Sequence, residues 1–231
     1  MKAFFFDLDG TLTDSRPGLN LSFRAALRAL ALPDMSDSEA AAYIGSPLPE
    51  SFRLLNPQIA QADVLAGMAA FRDAYEREGI LQNLIYPGVI DLLQDIERQG
   101  AISCVVTSKP EHYAIRVVEI IGIKPHLKGV VGADLAETDT KTTLVARALS
   151  DMGVAAGNTL MLGDRRYDVI GALENGVLPV GALWGYGAFE ELQAAGCRSF
   201  AGSLPEFHRS FVAGETALPA ASAGDAKPLK A

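Results

Sequence analysis

Cysteine, tryptophan and histidine are scarce: two, one and three in a chain of 231 residues. Cys104 lies inside an apolar run and Cys197 follows Gly196, a spacing that suits neither a zinc site nor a disulfide, so Cys104 reads as a small buried hydrophobe. Cations are also in deficit, with 20 Lys and Arg against 28 Asp and Glu and a formal net charge of −8. No surplus of basic surface exists to hold a phosphate backbone, so a nucleic acid polymer is not an expected partner, and an anionic substrate would have to be drawn in by local cations. Long hydrophobic runs are missing too. The apolar stretches are broken by Gly, Pro and charge well short of the ~20 residues a bilayer span needs, and the N-terminus lacks a signal-peptide pattern. A cytoplasmic location without a membrane partner is the expectation. What the chain does have is 49% hydrophobic residues, enough for one core, or one core and a smaller appendage, without a staple.

Short apolar runs rich in Val, Ile, Phe or Leu occur at 2–9, 101–108, 129–134, 158–164 and 177–183. Between them lie helix-length segments with apolar residues three and four apart, such as 89–99 and 142–152. Strands apolar on both faces that alternate with helices predict an α/β fold, a Rossmann-like parallel sheet covered by helices on both sides. In such sheets ligands gather beyond the carboxyl ends of the strands. Three of the runs end in polar clusters there: Asp7 and Asp9, then Thr107-Ser108-Lys109, then Gly163-Asp164.

One region breaks the alternation. From Arg16 to Leu84 only helical patterns occur, punctuated by GSPLPES at 45–51, a stretch too long for a simple connection. It predicts an inserted helical subdomain over 16–84, with the α/β core formed by 1–15 and 85–213. Turn residues at 15–18 and 86–88 suit an entry and an exit. The tail over 214–231 is dominated by Ala, Pro, Gly, Ser and Lys and is expected to be disordered.

Carboxylates at i and i+2 of a strand share a face, and Gly10 after them suggests a bend that lets both converge on one ligand. Acids held that close repel, and a hard cation such as Mg2+ relieves the repulsion. The alternative is that Asp7 and Asp9 cap the next turn.

DLDGTLTDS at 7–15, VVTSKP at 105–110, Lys141, and MLGDRRYD at 161–168 follow one another in an order that resembles the four motifs of the haloacid dehalogenase superfamily, subclass I, in its phosphoglycolate phosphatase-like branch. The resemblance spans residues 2 to about 208. It implies that Asp7 is the nucleophile that forms an aspartyl-phosphate and that Asp9 is the general acid/base, a residue the superfamily's dehalogenases lack. Thr107 would bind the transferring phosphoryl group, with Ser108, Lys109 and Gly10 as further substrate-binding candidates; Lys109 reads equally as a solvated loop lysine. Lys141, which opens the 142–152 helix, would neutralise charge. Its rivals Lys124 and Lys128 precede the third run, whereas the family lysine follows it.

Mg2+ is the implied cofactor, held by Asp7, the backbone carbonyl of Asp9, and Asp164, with Asp168 holding a metal-bound water or Lys141. Arg165 and Arg166 could salt-bridge this acidic mouth or read the substrate. The helical insertion resembles the superfamily's α-helical cap, with Gly45-Ser46-Pro47-Leu48 as its substrate-facing loop. Arg53 is a candidate for reading a substrate carboxylate or second phosphate, or else a solvated helix arginine. The function implied is a Mg2+-dependent phosphatase of a small phosphorylated metabolite, phosphoglycolate foremost. The alternatives are a 5'-nucleotidase, a β-phosphoglucomutase-like sugar phosphomutase, and a non-catalytic binding protein of the same fold. A monomer or a homodimer is expected.

Overall fold

The computed structural model describes residues 2–40, 43, 48–136 and 138–214. The 214–231 tail expectation therefore falls, beyond Gly214, outside the described residues, as do Gly45, Ser46 and Pro47. At the centre is β1 (Ala3–Phe6), all four residues of which are buried. It pairs in parallel with β4 (Ile102–Pro110) on one side and β6 (Thr159–Gly163) on the other. Phe4 and Phe6 feed one core layer while Ala3 and Phe5 feed the layer on the opposite face. A strand with two buried faces loses the alternation of polar and apolar residues, which is why FFF reads as an unbroken run.

The sheet is completed by β5 (Gly129–Ala133), β7 (Leu178–Ala182) and β8 (Phe200–Ala201), in the order β5-β4-β1-β6-β7-β8, all parallel. The first five are the predicted runs. The sixth strand was not predicted, because two residues are too few to show a period. Crossover helices α5 (Val89–Arg98), α6 (Glu111–Ile120), α7 (Lys141–Met152) and α8 (Arg166–Glu174) connect the strands.

The helical insertion contains α1 (Arg16–Ala29), α2 (Asp37–Ala40), α3 (Leu48–Leu55) and α4 (Gln61–Arg77), with α1 packed along α4. Its two connections to the sheet run side by side as a short antiparallel ladder. In that ladder β2 (Thr13–Asp14) pairs with β3 (Leu84–Ile85). Phe23, Phe52, Phe71 and Tyr75 of the insertion belong to the same apolar cluster as Phe4 and Phe6, so the insertion is packed down on the core.

Candidate active site

Beyond β1 the ladder continues for one more residue, the Asp7 N–H donating to the Leu162 carbonyl at 2.9 Å. The chain then coils: the Leu12 and Thr13 amides both donate to the Leu8 carbonyl at 3.0 Å, and Gly10 N–H donates to the Thr13 carbonyl at 2.7 Å. Gly10 has φ +91°, and a Cβ there would lie 2.5 Å from Asp164 Oδ2, so both the turn and the close approach exclude a side chain. Its amide is committed within this loop, and Gly10 does not line the cavity described below; what it provides is the turn itself.

Lys141 is the first residue of α7, whose N-terminus is fixed by a capping box between Thr140 and Thr143. Its Nζ lies 2.7 Å from Asp7 Oδ1, 2.8 Å from Asp168 Oδ1 and 3.0 Å from the Val106 carbonyl. The contacts to Asp7 and Val106 are hydrogen bonds, and that to Asp168 is an ion pair. Burial works against the charge, but Asp168 and Asp7 outweigh it and raise the pKa above the ordinary lysine value. The other oxygen of Asp168 accepts from the Arg165 amide at 3.0 Å, whereas Oδ1 is buried with only the charge of Lys141 against it.

Asp164 follows β6 and is fully buried. Thr11 Oγ1 donates to its Oδ1 at 3.1 Å and the Tyr186 amide donates to its Oδ2 at 2.7 Å. Burial, with Asp7 and Asp168 adding their repulsion, pushes its pKa up to about 8. Burial likewise pushes Asp7 up to about 6 against the pull of Lys141. Ligand oxygens of Asp7, Asp164 and Asp168 all lie within 4.8 Å of one another. Three carboxylates against one ammonium leave the cluster short of positive charge. An all-oxygen, over-acidic, buried donor set of this kind fits Mg2+.

The Asp9 carboxylate is held elsewhere. Lys109 Nζ lies 2.7 Å from its Oδ1 and 2.6 Å from its Oδ2, while the same ammonium sits 5.0 Å from the centre of the Tyr75 ring, which comes from the insertion. The Lys109 side chain is only 6% exposed, not solvated, and Asp9 and Tyr75 raise its pKa in spite of burial, the largest single influence on it. Thr107 Oγ1 accepts from the Lys109 amide at 3.2 Å.

Asp7, Asp9, Thr107, Ser108, Lys109, Lys141 and Asp168 thus share one cavity of about 90 Å³, roofed by the insertion. Arg53 is not brought there; it is exposed on α3, donating to Gln61 Oε1 at 2.9 Å, whereas its neighbours Ser51 and Phe52 face inward. Arg165 lines the cavity and pairs with Glu191 at 2.9 Å. Arg166 ties core to insertion, with Nη2 3.4 Å from Glu50 Oε1, which also accepts from Tyr167 Oη at 2.7 Å. The sequence reading did not single out Tyr186. Besides its amide bond to Asp164, its hydroxyl accepts from the Ser15 amide at 2.8 Å, joining the acid cluster to the start of the insertion. The signal available was its setting, between Gly185 and Gly187 just past the carboxyl end of a strand.

A family model of haloacid dehalogenase-like hydrolases matches residues 4–182. The chain is 33% identical over 190 residues to a 5'-nucleotidase from Pseudomonas aeruginosa, covering 82% of this chain and 86% of that protein. It is 30% identical over 215 residues to a phosphoglycolate phosphatase from Vibrio parahaemolyticus, covering 89% and 94%. Among solved structures, a predicted phosphatase from Clostridium acetobutylicum superposes with a TM-score of 0.87 at 30% identity, covering 90% of this chain and 97% of that one.

Proposed function

Because the chain belongs to the haloacid dehalogenase-like hydrolases and is a phosphoric monoester hydrolase of that family, we propose that it acts on a small phosphate ester through an aspartyl-phosphate on Asp7, with Mg2+ as cofactor. The observation that carries this reading is Lys141, whose ammonium touches Asp7 and Asp168 at once beside Asp164. Asp7, Asp164 and the Asp9 backbone carbonyl would hold the metal, which supplies positive charge opposite the phosphoryl oxygens.

The chain's own residues perform the transfer. Lys141 holds one Asp7 oxygen, which leaves the other to form the bond to phosphorus as the ester P–O bond breaks. In this role Asp9 would enter the first step protonated, with one oxygen still accepting from Lys109, and give that proton to the departing alcohol oxygen. It then takes one from the water that attacks phosphorus and frees Asp7 and inorganic phosphate. Thr107 and Lys141 both line the cavity; Thr107 would donate its hydroxyl to the phosphoryl group, and Lys141 would neutralise charge that builds there. The insertion acts as a cap that keeps bulk water out. A binding protein that had lost catalysis would not need this partnered set of acids and lysine.

Phosphate release from p-nitrophenyl phosphate, with and without Mg2+, tests the reading. Asp7→Asn is expected to lose at least ~10³-fold in turnover. Substantial activity in that variant with metal present would contradict the assignment. A mutase, which returns phosphate to its sugar, would release little. The named substrates of the two relatives differ, and neither is carried over: the alcohol side of the ester has to be read from the cavity.

A further inference from the structure

The roof and the floor of the cavity have opposite character. The floor is the charged set just described; the walls are rings, Phe71, Tyr75, Phe23 and Tyr43 from the cap and Tyr113 from α6. They form ordered groups. Phe71 and Tyr75 stack with centroids 6.0 Å apart, Tyr113 meets Tyr75 edge-on at 5.4 Å, and Phe23 stacks on Tyr43 at 5.5 Å. The polar end of Tyr113 is engaged elsewhere, donating to Glu76 at 2.6 Å, and the Tyr75 hydroxyl accepts from Asn83 at 3.4 Å. What these side chains offer the cavity is therefore carbon.

Among the described residues, every cation on the lining has a partner. Lys141 is taken by Asp7 and Asp168, Lys109 by Asp9, Arg165 by Glu191, and Arg72 donates to the Leu135 carbonyl. A leaving group with its own carboxylate or second phosphate would have to displace a carboxylate from Lys141, Lys109 or Arg165, in a space where unpaired charge is heavily penalised, or else be received by Arg72, which donates to a neutral carbonyl. An uncharged ring breaks none of these bonds and meets faces and edges suited to aromatic contact. Size narrows the choice further. At ~10–15 Å³ per water-sized position, about 90 Å³ takes on the order of six to nine such groups, which favours a compact alcohol over a nucleoside.

We propose that the site is built for a phosphomonoester whose alcohol is compact, uncharged and carries a single aromatic ring. This rests on the phosphomonoesterase reading and names its substrate class. Benzyl phosphate, ethyl phosphate, phosphoglycolate and adenosine 5'-monophosphate are the probes. All four release an alkyl alcohol, so differences report the cavity more than the intrinsic reactivity of the ester.

With Mg2+ present, kcat/KM for benzyl phosphate is expected to exceed each of the others by at least about 10-fold, the lower end of what an apolar pocket discriminates. The benzyl-to-ethyl ratio is expected to fall in Phe71→Ala. Phe71→Leu, which keeps most of the volume, provides the same reading should the alanine variant fold poorly. A preference for phosphoglycolate that Arg72→Met abolishes would overturn the proposal, because Arg72 would then be receiving a carboxylate. A preference for the nucleotide, or an unchanged benzyl-to-ethyl ratio in both Phe71 variants, would overturn it too. If none of the four esters is hydrolysed, and p-nitrophenyl phosphate is also inert, the phosphatase reading fails and this one with it. Hydrolysis of p-nitrophenyl phosphate alone would leave the phosphatase and refute the substrate class.

Discussion

Raising the pH without divalent metal is expected to destabilise this protein, and Mg2+ is expected to cancel most of that loss. An aspartate in the unfolded chain titrates near ~3.9. In the folded chain burial and mutual repulsion push Asp7 up to about 6 and Asp164 up to about 8. Between about pH 4 and pH 8 the native state therefore keeps protons that the unfolded state has released. Folded values that are raised mean that stability is fully present below the unfolded pKa and is lost as pH rises, through Asp7 near pH 6 and then through Asp164 near pH 8. His112 acts in the opposite sense, since burial lowers its pKa, but its influence is confined to pH below about 6.5, its unperturbed value. The diagnostic interval is pH 7 to 8.

Over that interval the retained proton resides on Asp164, within a set of acids that titrate together. One fully retained proton is worth ~1.4 kcal/mol per pH unit, and partial retention reduces this to roughly 1 kcal/mol. For a chain of this size that corresponds to a fall of about 2–4 °C in Tm. A bound cation takes the proton's place, so the rise in Tm that Mg2+ produces should grow from pH 7 to pH 8. Thermal unfolding in EDTA and in millimolar Mg2+, at both pH values, measures it. A Tm in EDTA that is flat or rising, or a Mg2+ effect of equal size at the two pH values, would refute the assignment of these acids as a strained metal site.

Lys109→Met removes the group that holds Asp9 in place and should slow alkyl phosphates by at least ~10-fold through loss of the acid's orientation, while sparing p-nitrophenyl phosphate, whose leaving group needs no proton. Equal losses on both would show that Lys109 serves binding alone. Gly18→Ala in α1 would put a Cβ 2.0 Å from the Gly79 carbonyl oxygen, a backbone atom that cannot rotate away, and should cost about 1–3 kcal/mol in urea unfolding. A variant with wild-type stability would mean that the crossing opens freely. Glu50→Ala cuts the bonds from the cap to Tyr167 and Arg166 and should raise KM about 2–10-fold, the scale of one net hydrogen bond. An unchanged KM would show that the cap is held elsewhere.

Much of the fold was legible because burial on two faces produces the apolar runs from which strands are read. The strands that escaped, β2, β3 and β8, are two residues each and carry no period. In the candidate site, Asp7 and Asp164 were visible because each ends a run, and Lys141 only through the order of motifs that the chain shares with its family. The Lys109–Asp9 pair was not, since it joins residues 100 apart and depends on β4 lying beside β1 in one register, Phe6 opposite Val105. Arg53 shows the converse. Guanidinium chemistry suits an anion, but helix phase decides which way it faces, and α3 turns Ser51 and Phe52 inward instead.

The order of the strands accounts for the place of the site as well as for its content. From β1 the chain builds outward through β4 to β5, then crosses to the other side of β1 and lays down β6, β7 and β8. The direction of winding reverses at β1, so the loops leaving β4 and β6 diverge and open a crevice at its carboxyl end. Asp7 stands at the mouth of that crevice, with Thr107 and Lys109 delivered from one side and Asp164 and Asp168 from the other. Lys141 closes it from the helix of the crossover itself. Polar clusters at the ends of three separate runs are the trace this arrangement leaves in the sequence. Their partners can be assigned only once it is known which runs are neighbours.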